Sequence, residues 1–155
     1  MASGEKHLKS LRRRIQELLN AERRPMCWEL GHFQAPMFIQ EAGETPTKPY
    51  LLVCIDRASR AIMGNELLRD PPSPQELLSV LVVSMEKPGM VTGVPVLPES
   101  VRFDDPAVFE LAGSELGQLG IKVELVKRLS AIHEFKGIAE RDFFSHHIGY
   151  SGGEN

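Results

Sequence analysis

The spacing of apolar residues changes along this chain, and each spacing predicts an element. Leu8, Leu11, Ile15 and Leu18 recur at intervals of three and four, which places them on one stripe of an amphipathic helix from about Gly4 to Ala21. Lys6, Lys9, Arg12, Arg13 and Arg14 fall on the other face. Asn20 to Pro25 reads as a polar joint that the proline stops from continuing the helix, so a globular body is expected to begin near Met26-Cys27-Trp28. Trp28, Phe33, Phe38 and Ile39 supply a first short β region, and Gly43 to Pro49 a turn. Tyr50-Leu51-Leu52-Val53-Cys54-Ile55-Asp56 is then an almost unbroken apolar run closed by a carboxylate. A strand with one wet face would alternate, so this run predicts a central strand covered on both faces. Arg57 to Arg60 is short enough to make Ala61–Leu68 its antiparallel hairpin partner.

After the break at Asp70-Pro71-Pro72, Ser73-Pro74-Gln75-Glu76 forms a capping box with proline at the first helical position. The helix it opens carries Leu77, Leu78, Leu81, Val82 and Met85 and stops at Pro88-Gly89. Val91 to Pro98 reads as loop and Ser100–Phe103 as a short strand ending in Asp104-Asp105. Asp105 caps a helix that Pro106 begins and Gly120 ends. Ile121–Val126 alternates as a strand. Ser130 to about Ser145 forms a last helix, with Ile132, Phe135, Ala139 and Phe143 apolar and Gly137 weakening it. The result is an α/β chain of order βββαβαβα: a helix and joint over residues 1–24, one mixed-sheet domain over 25–148, and a glycine-rich flexible tail over 149–155.

Composition narrows the function. A chain of 155 residues can bury a core without disulfides or metal, and two cysteines form no framework. Cys27, near a tryptophan, and Cys54, inside the apolar strand, read as reduced buried thiols; Cys54 lacks the open, electropositive setting of a reactive one. With no stretch of roughly 20 apolar residues and no signal core, the expectation is a cytoplasmic protein without a membrane partner. Residues 1–24 hold seven lysines and arginines against three acids, whereas the remainder holds eleven against eighteen, so the body is acidic and ill suited to tracking phosphates. There is no phosphate loop, CxxC or H-x-x-x-H. His32 and His133 lack spaced partners, His146-His147 reads as solvated, and Trp28 reads as core rather than a ligand wall.

The element order is similar to that of the ribonuclease H-like fold, which includes retroviral-integrase-like cores. Leu52-Val53-Cys54-Ile55-Asp56-Arg57-Ala58-Ser59-Arg60 followed by Ala61-Ile62-Met63-Gly64 resembles their first acidic strand. Ser100-Val101-Arg102-Phe103-Asp104-Asp105, a helix, and Leu119-Gly120-Ile121-Lys122-Val123 resemble the second and the unit after it. The resemblance covers roughly residues 36 to 145, and the body also resembles an uncharacterised bacterial domain family. In integrase-like cores two divalent metals are bridged by carboxylates. The resemblance therefore implies Asp56 as first ligand, Asp104 or Asp105 as second, and Glu134 or Glu140 as third, with Mg²⁺ or Mn²⁺ as the only cofactor. Two departures weigh against it: Asp105-Pro106 enters a helix where the family has a polar residue and glycine, and Asp56 falls on the second strand instead of the first.

The reading that results is a non-catalytic binding or regulatory module that needs no cofactor. Its lead helix either docks on its own domain or meets a protein partner or second copy through Leu8, Leu11, Ile15 and Leu18, with nucleic acid at Arg12, Arg13 and Arg14 a third possibility. The alternative is a metal-dependent nuclease or strand-transfer core.

Overall fold

A computed structural model describes residues 2–40, 42–90 and 93–154, with the side chains of 2–6, 90 and 143–154 left aside. Readings that concern Val91, the side chains of Lys6, Phe143, His146 and His147, or Asn155 therefore lie outside the described residues. The elements run α1 (Ala2–Glu17), β1 (Glu22–Gln34), β2 (Tyr50–Asp56), β3 (Ile62–Leu68), α2 (Pro74–Glu86), β4 (Val96–Phe103), α3 (Pro106–Gln118), β5 (Lys122–Leu125) and α4 (Ser130–Glu154). They form one five-stranded sheet in the order β3-β2-β1-β4-β5. β2 is antiparallel to both its neighbours, while β1, β4 and β5 are mutually parallel. Leading helix, mixed sheet and βββαβαβα order together make this a ribonuclease H-like α/β fold.

Local chemistry explains the elements that were anticipated. Ser73 Oγ accepts from the Glu76 amide at 3.2 Å while the Glu76 carboxylate accepts from the Ser73 amide at 2.9 Å, so two otherwise orphaned donors start α2 reciprocally. Asp105 accepts from the Ala107 amide at 2.9 Å and caps α3. Leu52, Val53, Cys54 and Ile55 are all fully buried, as the unbroken apolar run requires.

The centre of the sheet is β1, not β2. Burial on both faces requires helices above and below a strand, but does not rank it among its neighbours, and β1 was obscured by its own polar positions. Trp28 and Leu30 enter the larger core, whereas Glu29, Gly31 and Phe33 face the other way. Pro25 is inside this strand, where the pairing with β4 slips between Arg24 and Cys27, so the missing amide donor is tolerated. The expected joint at Asn20–Pro25 is therefore mostly strand, and β4 begins at Val96 within the expected loop, paired with Glu22. Phe38 is 66% exposed, and its region contributes only an isolated bridge between Ile39 and Thr47.

The sheet is covered unequally. Leu11 and Ile15 of α1 and Leu18 just after it join Leu77, Leu78, Leu81 and Met85 of α2 and Val108, Ala112 and Leu116 of α3 in the core on one face. Among the described residues the other face is covered by α4 and the residue before it, with Leu129, Ala131 and Ile132 against Phe33, Val53 and Ile55. Two expectations are thereby corrected. The α1 stripe is not an open surface for a partner or second copy, because each of its three buried side chains contributes about 1.5–3 kcal/mol to this chain's own core. Nor is the basic face open to phosphates as a unit: Arg12 pairs with Glu115 at 2.8 Å and Arg14 with Glu86 at 2.6 and 3.0 Å. The helix is part of the domain and not a separable arm. At the other end α4 continues to Glu154, across the stretch read as a tail, since its backbone hydrogen bonds propagate through glycine at a cost of roughly 1 kcal/mol each. No described helix is long and apolar enough to cross a membrane.

Candidate functional site

Strand direction decides where chemistry can collect. β1, β4 and β5 are parallel, so their carboxyl ends share one edge of the sheet, the edge at which open α/β sheets take ligands. β2 runs the opposite way, and Asp56 at its carboxyl end points away from that edge. Asp56 is paired with Trp28 and is 4% exposed. Its Oδ2 accepts from the Ser59 amide at 2.9 Å and from the Ser59 hydroxyl at 2.7 Å, closing the turn into β3, while Oδ1 is buried without a described partner. By alternation the side chain lies on the face of Trp28 and Cys54, against α1, α2 and α3.

The other proposed ligands lie elsewhere. Asp104 follows β4 level with Gly31 of β1, on the α4 face. Asp56 and Asp104 are thus separated by two strand spacings, three residues of rise and the thickness of the sheet. The first two alone give about 14 Å between Cα atoms. Glu134 on α4 is paired at 2.6 Å with Arg60 of the β2–β3 turn, and Glu140 is exposed farther along the helix. Among the described residues, no group of three or more His, Cys, Asp or Glu side chains is arranged to hold a metal ion. The metal pair that an integrase-like core carries has its ions about 3.5–4 Å apart. Asp56, Asp104, Glu134 and Glu140 as placed here do not fit it.

The carboxylate that sequence reasoning missed is Glu29, in the middle of the central strand and 1% exposed. It accepts from the Ile132 amide at 3.0 Å, from Arg57 Nε at 3.1 Å and weakly from the Ser130 hydroxyl at 3.4 Å. It thus caps the first turn of α4 and ties that helix to both β1 and the β2–β3 turn. Gly31 completes the junction: a Cβ there would lie 2.6 Å from Leu129 Cδ1 and 3.2 Å from Ile132 Cδ1, so any larger residue would make these side chains shift. One signal in the sequence could have revealed Glu29, a lone acid flanked by Trp28 and Leu30 within an otherwise apolar stretch.

Immediately beyond this junction lies a cavity of about 210 Å³. Its floor is Phe33, Leu129 and Ile132, and its walls are His32, Asp104, Lys127, Arg128, His133 and Lys136. Partial desolvation pushes the Asp104 carboxyl above the usual aspartate range, and nearby Asp105 and Glu29 add to this; a backbone hydrogen bond and the His32 imidazole pull the other way. The side chains of Lys127, Arg128, His133 and Lys136 have no hydrogen bond or ion pair among the described residues. Elsewhere Arg12, Arg14, Arg24, Arg57, Arg60 and Arg102 each face a glutamate. Cys54 can do no thiolate chemistry, because burial pushes its thiol up to about 12, with Asp56 adding to that and the Ser84 hydroxyl opposing it.

A search of the curated proteins finds no match. A structure of the HTLV-2 integrase catalytic core domain in complex with magnesium, in dimeric form, is similar at 15% identity with a TM-score of 0.49, over 74% of this chain and 66% of that one. The chain thus spans a little under two thirds of that core, and at such a score the likeness bears on neither mechanism nor partners. Residues 14–137, from the last turns of α1 through the first turns of α4, match a family described as Domain of unknown function (DUF6930), and the chain belongs to that family.

Proposed function

We propose that this chain is a non-catalytic binding module built on a ribonuclease H-like scaffold, not a metal-dependent nuclease. The observation that carries the reading is the commitment of Glu29. The carboxylate that the central strand aims at α4 is engaged by the Ile132 amide, Arg57 and, weakly, the Ser130 hydroxyl, and is therefore used in holding the helix. Asp56 is likewise occupied by a turn and Glu134 by Arg60. A partner, whether protein or small molecule, would then engage the open edge where β1, β4 and β5 end and not the α1 stripe.

A second reading keeps one support: Asp104 ends β4, where the integrase-like resemblance implies the second acid. That nuclease core would need Asp56, Asp104 and Glu134 or Glu140 to converge on Mg²⁺ or Mn²⁺. The test is a melting curve and an incubation with labelled single- and double-stranded DNA and RNA, each with and without millimolar Mn²⁺. The binding-module reading expects no cleavage and an unchanged melting temperature. An ion bound to the folded state at a hundred times its Kd would stabilise it by about 2.7 kcal/mol. Cleavage by the parent that Asp104→Asn abolishes would overturn the proposal.

A further inference from the structure

We infer that the cavity at the ends of β1, β4 and β5 is a binding site for a compact dianionic oxyanion, a phosphoryl group above all, held by Lys127, Arg128 and Lys136 with His32 and His133 on its walls. The inference rests on the reading above in one respect, that no metal pair occupies this edge of the sheet.

Three observations carry it. First, the basic side chains that line the cavity come from separate elements, Lys127 and Arg128 from the β5–α4 connection and Lys136 from α4, beside the imidazoles of His32 from the central strand and His133 from α4. Gathering like charges in a concavity with too few counter-ions is unfavourable, since each destabilises the charged form of its neighbours. Yet among the described residues Lys127, Arg128 and Lys136 are left without an acidic partner, in a chain whose body carries an excess of acids. Second, the charge count selects the ligand: three permanent cations against the single carboxylate of Asp104 leave two positive charges, before either imidazole is protonated. That matches a dianion better than a monocarboxylate. A guanidinium fork with ammonium point charges is also the combination that suits the oxygens of a phosphoryl group. Third, size limits what enters. About 210 Å³ is below the 300–1,000 Å³ typical of drug-sized pockets, so the cavity would take a phosphoryl group or a free phosphate and leave any larger remainder of the ligand outside.

Asp104 gives the proposal a discriminating prediction. In an anion site its carboxylate only repels, so Asp104→Asn should tighten binding; in a cation site the same change should abolish it. The experiment is calorimetric titration of the full chain in EDTA at low ionic strength, with inorganic phosphate in one arm and glycerol phosphate in another, which separates a free ion from the phosphoryl end of a larger molecule. Saturable binding of either probe is expected. It should be weakened at least about tenfold in a Lys127→Gln, Arg128→Gln double variant, as expected for loss of charge-assisted hydrogen bonds, and left unchanged by Lys9→Gln, which removes an exposed charge from α1. Absence of saturable binding, an equal loss in Lys9→Gln, or loss of binding in Asp104→Asn would each overturn the site. Because the replaced side chains are exposed, unfolding would not mimic these outcomes, and a melting curve for each variant checks this. Phosphate binding that appears only when Mn²⁺ replaces EDTA would overturn the non-catalytic reading as well. No binding under either condition would overturn the anion site alone.

Discussion

If Glu29 is a structural clamp, replacing it must cost folding stability by an amount its contacts predict. In Glu29→Ala the Ile132 amide loses its acceptor at 3.0 Å in a buried setting, which costs about 1–3 kcal/mol. Arg57 also loses its partner, but its side chain is 33% exposed and can rehydrate, so the penalty falls below the 3–5 kcal/mol of a fully buried broken pair. The two together come to about 3 kcal/mol. Glu29→Gln keeps an acceptor for the amide and loses only the charge assistance, roughly 1 kcal/mol. For a domain of this length 1 kcal/mol moves the melting temperature by about 2–4 °C. Falls of about 6–12 °C for alanine and 2–4 °C for glutamine follow, measured by thermal and urea melts followed by circular dichroism. Native-state hydrogen exchange adds a local readout, since the Ile132 amide should lose protection most in the alanine variant. Melting of Glu29→Ala within 1 °C of the parent, or a glutamine variant more stable than the parent, would refute the reasoning. The latter is the behaviour of a carboxylate kept for a ligand at the expense of the fold.

The remaining predictions concern α1, the buried thiol and the cavity. Leu11→Ala should lower stability by about 2–5 kcal/mol in urea denaturation, because the residue is fully buried in the domain's own core; a change below 0.5 kcal/mol would make α1 an appendage after all. Cys54 should resist iodoacetamide at about pH 8 in the native chain and react once denatured, its thiol being fully buried and raised to about 12; native alkylation of Cys54 as fast as in denaturant would contradict its burial. Asp104 binds its proton more tightly folded than unfolded, so from about pH 4 upward the folded state holds more protons and stability falls through that window as the pH rises. Asp104→Asn should lack this fall and be the more stable chain at neutral pH, and superimposable pH profiles from parallel urea melts would refute it.

What could be read from the sequence was the chemistry of neighbours. The capping box at Ser73 and Glu76, the aspartate cap at Asp105, the hairpin after Asp56 and the doubly covered strand Tyr50–Asp56 depend on residues within a few positions of one another. The order of elements that follows from them already resembled the ribonuclease H-like fold. Three matters were decided only by the tertiary arrangement. The α1 stripe reads the same whether it meets a partner or the chain's own α2 and α3, and only packing chose the latter. Asp56 looked like a ligand because it ends a buried strand, but the antiparallel direction of β2 turned that end away from the edge where Asp104 lies. The cationic cavity draws on residues as far apart in sequence as His32 and Lys136, none carrying a local motif, and Glu29 became a clamp only when α4 returned more than a hundred residues later to lay its first turn on β1. Local hydrogen bonds and hydrophobic periodicity act over a few residues and leave their mark in the sequence; strand direction and the closure of distant segments set which charges meet, and those follow from burying the whole core at once.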